Sequence, residues 1–236
     1  MVVCPPHMRR GTASGNTSMV RLRSVVPPGC AAIWAKLEWE NPTGSVKDRM
    51  ALAVISRAEA DGRLLPGDTV VEYTGGTTGA SLALVCAAKG YPIRIVSSDP
   101  FAREKLDQMA ALGAQLTFVP SEGGMTTKKL ILDMIEAARE ISREPHSYWT
   151  DQVNNHDSIA GYYPLADGIE AVSTGDAKEM TRRLAREEGL IAGTSAGANV
   201  VAAIRVAERL GPEATVVTLM ADSGLKYMNT DVYQQG

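Results

Sequence analysis

The chain has 236 residues, 44% hydrophobic and 22% charged, with 24 basic against 27 acidic side chains and a formal net charge of −3. That length makes one large domain or two small ones, and the near-balance of charge offers no electrostatic footprint for nucleic acid or an anionic membrane. No apolar run approaches the roughly 20 residues of a membrane-spanning helix, no apolar segment follows Arg9 and Arg10 as in a secretory leader, and Cys4, Cys30 and Cys86 are too scattered for a disulfide framework or a zinc site, which fits a reducing cytoplasm.

In chain order, Ala31–Leu37 reads as a strand and Asp48–Asp61 as a helix with Ala, Leu, Val and Ile on one face. Thr69–Tyr73 is a short β-rich run that meets the glycine cluster TGGTTG. Ala80–Lys89 is an Ala- and Leu-rich helix stopped by Gly90, and Ile93–Ser97 is the next strand. Arg103–Leu112 is a helix ended by Gly113, Leu116–Val119 a strand, and Lys128–Ile141 a long amphipathic helix. This alternation argues for a parallel sheet covered by helices. Asp176–Glu188 reads as a helix, Leu190–Ala192 is too short to assign, GTSAG at 193–197 opens an apolar helix to Leu210, and Thr215–Ala221 is a buried strand. No strand is visible between Gln152 and Lys178.

Three segments could carry chemistry. In Asn41-Pro-Thr-Gly-Ser-Val-Lys47-Asp48-Arg49, Pro42 and Gly44 mark a turn and the helical pattern begins near Ser45. A lysine at a helix start feels the positive end of the dipole, which favours the neutral amine that Schiff-base chemistry needs. Taken alone, it reads more readily as a solvated lysine paired with Asp48 or Glu40. The loop Thr74-Gly75-Gly76-Thr77-Thr78-Gly79, between a strand and a helix, can present successive N–H groups and hydroxyls to a carboxylate or phosphate, or be a plain tight turn. It is neither a P-loop nor a Rossmann fingerprint. Gly193-Thr194-Ser195-Ala196-Gly197 opens another helix, where Ser195 is either a ligand contact or a simple cap. His7, His146 and His156 have no metal spacing.

Together, NPTGSVKDR, TGGTTG and GTSAG, in this order, resemble the cysteine synthase and cystathionine β-synthase family of pyridoxal-phosphate enzymes. Gly15-Asn16-Thr17 with Val20-Arg21-Leu22, Lys105-Leu106 with Ala111-Leu112-Gly113-Ala114, and Asp151-Gln152-Val153-Asn154-Asn155 are similar to further stretches of that family. The resemblance implies a two-domain α/β fold with helix-covered, mostly parallel sheets, tryptophan-synthase-β-like. It implies pyridoxal 5′-phosphate as cofactor, no metal, and Lys47 as both the cofactor's covalent anchor and the catalytic base. Thr77 would stand near the cofactor and Ser195 would bond its pyridine nitrogen. Thr74, Gly75, Thr78 and Gln152 would hold the substrate carboxylate. The implied reaction is β-replacement on a serine-derived amino acid by sulfide or a thiol, as in cysteine biosynthesis, in a cytoplasmic homodimer. Serine or threonine dehydration on the same scaffold, or a non-catalytic truncated paralogue acting as a binding subunit, are the alternatives.

Two departures stand out. The family's usual loop reads TSGNTG, so Gly75 replaces a serine and Thr77 an asparagine. A strand, a glycine-rich phosphate loop and the units after it have no counterpart between Tyr163 and Val172, where Ser173-Thr174-Gly175 is the nearest substitute. The expected organisation is a smaller domain over 39–145 and a larger one from 1–38 plus 146–236, with the cofactor at the carboxyl ends of the strands.

Overall fold

A computed structural model describes residues 14–160 and 170–234. The chain divides into two compact units, 1–14 with 47–166 and 15–46 with 167–236.

The first unit is built on a parallel four-stranded sheet. Its elements run α1 (Lys47–Ala60), β3 (Thr69–Tyr73), α2 (Thr77–Lys89), β4 (Ile93–Ser97), α3 (Arg103–Ala111), β5 (Gln115–Phe118), α4 (Lys128–Ser142), β6 (Ser147–Trp149) and α5 (His156–Ala160), while β1 (Met19–Arg21) and β2 (Ala32–Leu37) belong to the second unit. The strand order is β5-β4-β3-β6. β3, β4 and β5 therefore step outward one by one, and the chain then returns through α4 to lay β6 on the other side of β3, in register Thr69 to Ser147 and Val71 to Trp149. Alternate residues bury both faces. Val70, Ile93, Ile95 and Tyr148 pack with α1, α2 and α3, and Val71 and Val96 pack against Leu130, Met134, Ala138 and Ile141 of α4. Those α4 positions recur at helical spacing, and Thr127 caps the helix by accepting from the Leu130 N–H. Cys86 is fully buried on α2. Asp157 at the start of α5 is held by Arg57 in the last turn of α1 and by Arg63 in the turn that follows it.

Ser147–Trp149 thus lies in the same sheet as β3, beyond residue 145 where the sequence places a boundary. Pairing to β3 decides its place, and three residues carry too little pattern to announce it.

The second unit has a three-stranded sheet in the order β1-β2-β7, with β1 (Met19–Arg21) antiparallel and β7 (Thr215–Met220) parallel to β2 (Ala32–Leu37). α6 (Thr174–Arg183) and α7 (Thr194–Leu210) cover it through Met180, Ala196, Val200, Ala203 and Ala207. A π-turn over Leu184–Glu188 ends α6, and the Glu188 carboxylate accepts from the N–H groups of Arg23, Ser24 and Val25.

α6 and α7 meet at Gly197. A Cβ there would lie 2.1 Å from the Ala177 carbonyl oxygen and 2.2 Å from Thr181 Oγ1, whereas one at Gly175 would find only Ser173 Oγ at 3.8 Å. Gly197→Ala is expected to destabilise the protein by about 2 kcal/mol or more, and Gly175→Ala to be neutral or slightly stabilising, as urea unfolding would measure.

Candidate active site

The reversal of strand order falls between β3 and β6. In open α/β sheets the crevice outside the carboxyl ends of the strands on either side of such a reversal is left uncovered by the crossover connections and receives ligands. Here those two strand ends lead into the Thr74–Gly76 loop and the Asp151–Asn155 segment, which carry three of the predicted residues, Thr74, Gly75 and Gln152, with Thr77 and Thr78 in the first turn of the helix that follows.

The loop after β3 is short because α2 begins at Thr77, three residues before the apolar pattern does. Gly76 is its N-cap, in extended conformation, and no side chain caps the helix. The N–H groups of Thr77 and Thr78 at the head of α2 therefore have no intrahelical partner, while that of Gly79 donates to the Gly76 carbonyl at 3.2 Å. Thr74 and Thr78 are buried, and Gly75, Gly76 and Thr77 are half-buried. The Thr74 N–H donates to the Val96 carbonyl, and Thr74 Oγ1 accepts from the Gly76 N–H, which leaves the hydroxyl proton of Thr74 available to donate.

Gln152 lies against the same loop, its side-chain amide donating to the Tyr73 carbonyl at 3.4 Å. Its place is fixed by a tight turn. Asp151 adopts a left-handed φ of 42°, its carbonyl accepts from Asn154 and Asn155, and the Asn155 amide donates to the Thr150 carbonyl.

Glu72 joins the two segments. Its carboxylate is fully buried. One oxygen accepts from Thr150 Oγ1 at 2.6 Å and the Gln152 N–H at 3.0 Å, the other from the Tyr73 N–H at 2.9 Å. Burial raises its pKa to about 7, helped by the Asp151 charge and opposed by the three donors. Sequence reasoning passed over Glu72, although a lone acid in the apolar run Thr-Val-Val-Glu-Tyr is a readable signal. Phe101 in the turn after β4 was also passed over, and nothing in the pattern marks it.

Lys47 is the first residue of α1, and Val46 before it donates its N–H to the Ala221 carbonyl in the second unit. The chain passes from one unit to the other between these two residues. Asp48 is fully buried, and its carboxylate accepts from Ser81 Oγ of α2 at 2.5 Å. That bond ties the helix starting at Lys47 to the helix starting at the TGGTTG loop. The turn before it is braced by buried polar groups: Glu38 accepts from Thr17 Oγ1 and the Asn41 amide, and Asn41 accepts from the Gly15 N–H.

Ser195 belongs to the second unit, in the first turn of α7, and is exposed. The N-cap of α7 is Gly193, again without a side-chain cap. A Cβ at Gly193 would lie 2.2 Å from Asp222 Oδ1, and Gly193 donates its N–H to the Asp222 carbonyl. Ser173, the nearest substitute for a phosphate loop, is the N-cap of α6, its hydroxyl accepting from the Asp176 N–H. Thr174 and Gly175 are that helix's first turn.

The sequence matches the family described as "Pyridoxal-phosphate dependent enzyme" over residues 11–167 and 165–222. It is 31% identical to a cysteine synthase of Staphylococcus aureus over 300 residues, covering 93% of this chain and 94% of that one. Since 93% of 236 residues is about 219, about 80 of those 300 aligned positions have no counterpart here. The family match falls in two pieces that meet at 165–167. Two solved structures share the fold. An O-acetylserine dependent cystathionine β-synthase from Helicobacter pylori is 25% identical, with TM-score 0.82 over 99% of this chain and 100% of that one. An O-ureido-L-serine synthase is 26% identical, with TM-score 0.76 over 95% of each chain.

The Glu72 pKa has a consequence for stability. Between about 4.5, the ordinary value, and about 7, the folded state holds a proton that the unfolded state has lost. Stability should therefore fall as pH rises through that window, by about 3 kcal/mol from this group. Urea midpoints at pH 5 and pH 8 would show the fall in the native protein and a much smaller one in Glu72→Gln.

Proposed function

Because the chain belongs to the pyridoxal-phosphate dependent enzymes, we propose that it catalyses β-replacement on a serine-derived amino acid, with sulfide or a thiol as the incoming nucleophile. The observation that carries the reading is the convergence of the TGGTTG loop and Gln152 at the reversal of strand order. The curated and structural relatives support it, being cysteine synthases and enzymes named for O-acetylserine and O-ureido-L-serine. The reading includes a homodimer in a reducing cytoplasm. No described helix is long and apolar enough to cross a membrane.

The described residues suit the cofactor at its reacting end. A Cβ at Gly76 would meet nothing nearer than Thr74 Oγ1 at 4.0 Å, so the head of α2 is open on that flank. It offers N–H groups and hydroxyls of the kind a carboxylate takes. When bound, the cofactor withdraws electrons from the amino acid's Cα, acidifies the Cα–H bond and allows the Cβ substituent to leave. In this reading Lys47 holds the cofactor, and its amine then takes the proton from Cα. Thr74, Gly75 and Thr78 bind the α-carboxylate with Gln152, and so orient the Cα–H bond. Thr77 stands beside the cofactor. Ser195 offers a neutral hydroxyl to its ring nitrogen. The Cβ–O bond breaks with departure of the leaving group, the sulfur forms the new Cβ–S bond, and the proton returns to Cα.

Lys47→Ala should lose the visible absorbance of the bound cofactor and reduce turnover of O-acetyl-L-serine with sulfide by about 10³-fold or more. Retained turnover would overturn the assignment. Assaying products with and without sulfide separates replacement from dehydration, since only dehydration releases a keto acid when sulfide is present.

The phosphate end is a separate matter. Ser173 is taken up in capping α6, and Gly193 is packed against Asp222. With no further glycine-rich cradle of N–H donors among the described residues, pyridoxal phosphate is expected to bind no more than about tenfold more tightly than pyridoxal. Absorbance titration measures the ratio. A thousandfold preference would assign the phosphate to residues outside those described.

A further inference from the structure

Two neighbouring glycines of the loop have opposite surroundings. A Cβ at Gly76 would meet open space but for Thr74 Oγ1. A Cβ at Gly75 would overlap the face of the Phe101 ring, 2.0 Å from Cγ and 2.1 and 2.2 Å from the two Cδ atoms. The ring therefore lies directly on the Gly75 backbone, in the space a side chain at 75 would need. It is not loosely placed. Phe101 is half-buried and packs against the cluster formed by Val71, Val96, Leu130 and Met134 between the sheet and α4, so moving the ring gives up that contact.

We propose that Phe101 is a positioning residue for the substrate's α-carboxylate: its ring closes the Gly75 flank of the loop, fixes the backbone there and leaves the Gly76 flank as the side from which the carboxylate enters. This deepens the function proposed above and rests on it. Three physical effects combine. A glycine pair is intrinsically free to rotate, and the ring removes that freedom before a ligand arrives, so less ordering is required on binding. The ring excludes water from one side of the amides, and a charge-assisted hydrogen bond is stronger where water is excluded. It also offers no hydrogen bond of its own, so the carboxylate is gripped by the Thr74 hydroxyl and the head of α2 rather than by a side chain at 75. The TGGTTG sequence is then a coupled arrangement in which Gly75 is glycine because Phe101 occupies its side-chain space.

A double-mutant cycle on the holoenzyme tests this, with O-acetyl-L-serine as donor and sulfide as acceptor. Phe101→Ala removes the ring, and Gly75→Ala displaces it. Each single change should raise the KM for the donor about tenfold with kcat within about twofold, and the double variant should be no worse than either single one, because both act through one contact. Phe101→Leu should recover part of the loss. Discrimination between O-acetyl-L-serine and its methyl ester should shrink in both singles, an effect that a general loss of stability would not produce. Additive losses in the double variant, or an unchanged KM in Phe101→Ala, would overturn the proposal. Hydrogen exchange of the 74–79 amides is read on the same proteins without substrate. It should quicken in both single variants, and if it quickens in neither the proposal is likewise overturned. A native enzyme that turns over no amino acid would sink the proposed function instead, and the exchange measurement would still decide whether Phe101 fixes the loop.

Discussion

The Glu72 carboxylate is the tie on which the candidate site depends. It sits out of water at the end of β3 and accepts three hydrogen bonds, two of them from the segment that follows β6. β6 is only three residues long, and its ladder to β3 is correspondingly short. Backbone pairing alone would give the Asp151–Asn155 turn little anchorage. A buried acid bonded to Thr150 and Gln152 supplies it, at the cost of desolvation that the raised pKa records. The strained φ of Asp151 is sustained by the same turn. Position has been favoured over stability here, as in many sites where two loops must meet.

The same preference recurs at the head of α1. Asp48 is buried against Ser81, so the helix that Lys47 begins and the helix that follows the TGGTTG loop are held by a polar bond inside an otherwise apolar contact. In the second unit, Glu38, Asn41 and Thr17 do comparable work under the Asn41–Gly44 turn. Asp222 and Tyr227, joined by a 2.6 Å hydrogen bond, back the glycine that starts α7. Each motif segment that stands out in the sequence thus rests on a buried polar group.

What could be read from the sequence follows from how local each signal is. The central strands β3 and β4 and the helix α4 were legible almost residue for residue, because their patterns are set by burial of the segment itself. The start of α2 was placed three residues late, since a glycine N-cap and two threonines carry no apolar pattern. β1 and β6 are three residues each and exist through their partners, so no window of sequence holds them. Among candidate site residues, the segments bearing Lys47, Thr74 to Thr78 and Ser195 stand out as glycine-containing turns before helices, whereas Gln152 is marked only by the resemblance of its DQVNN stretch. Ser173 has the same look and is simply a cap. Phe101 lies 26 positions from Gly75 in the chain, and only three-dimensional packing relates them.

Cys86 shows a different kind of fitness. It sits on α2, the helix that opens with the loop, and burial pushes its pKa up to about 12. At neutral pH the thiol there stays protonated, and the thiolate is the form that attacks. An enzyme proposed to work with sulfide would meet polysulfides and mixed disulfides as a matter of course. A reactive thiol on this helix would be modified by them, and the added bulk would push α2 off its neighbours. Keeping the sulfur protonated and out of solvent makes the scaffold chemically inert toward the reagents it would handle.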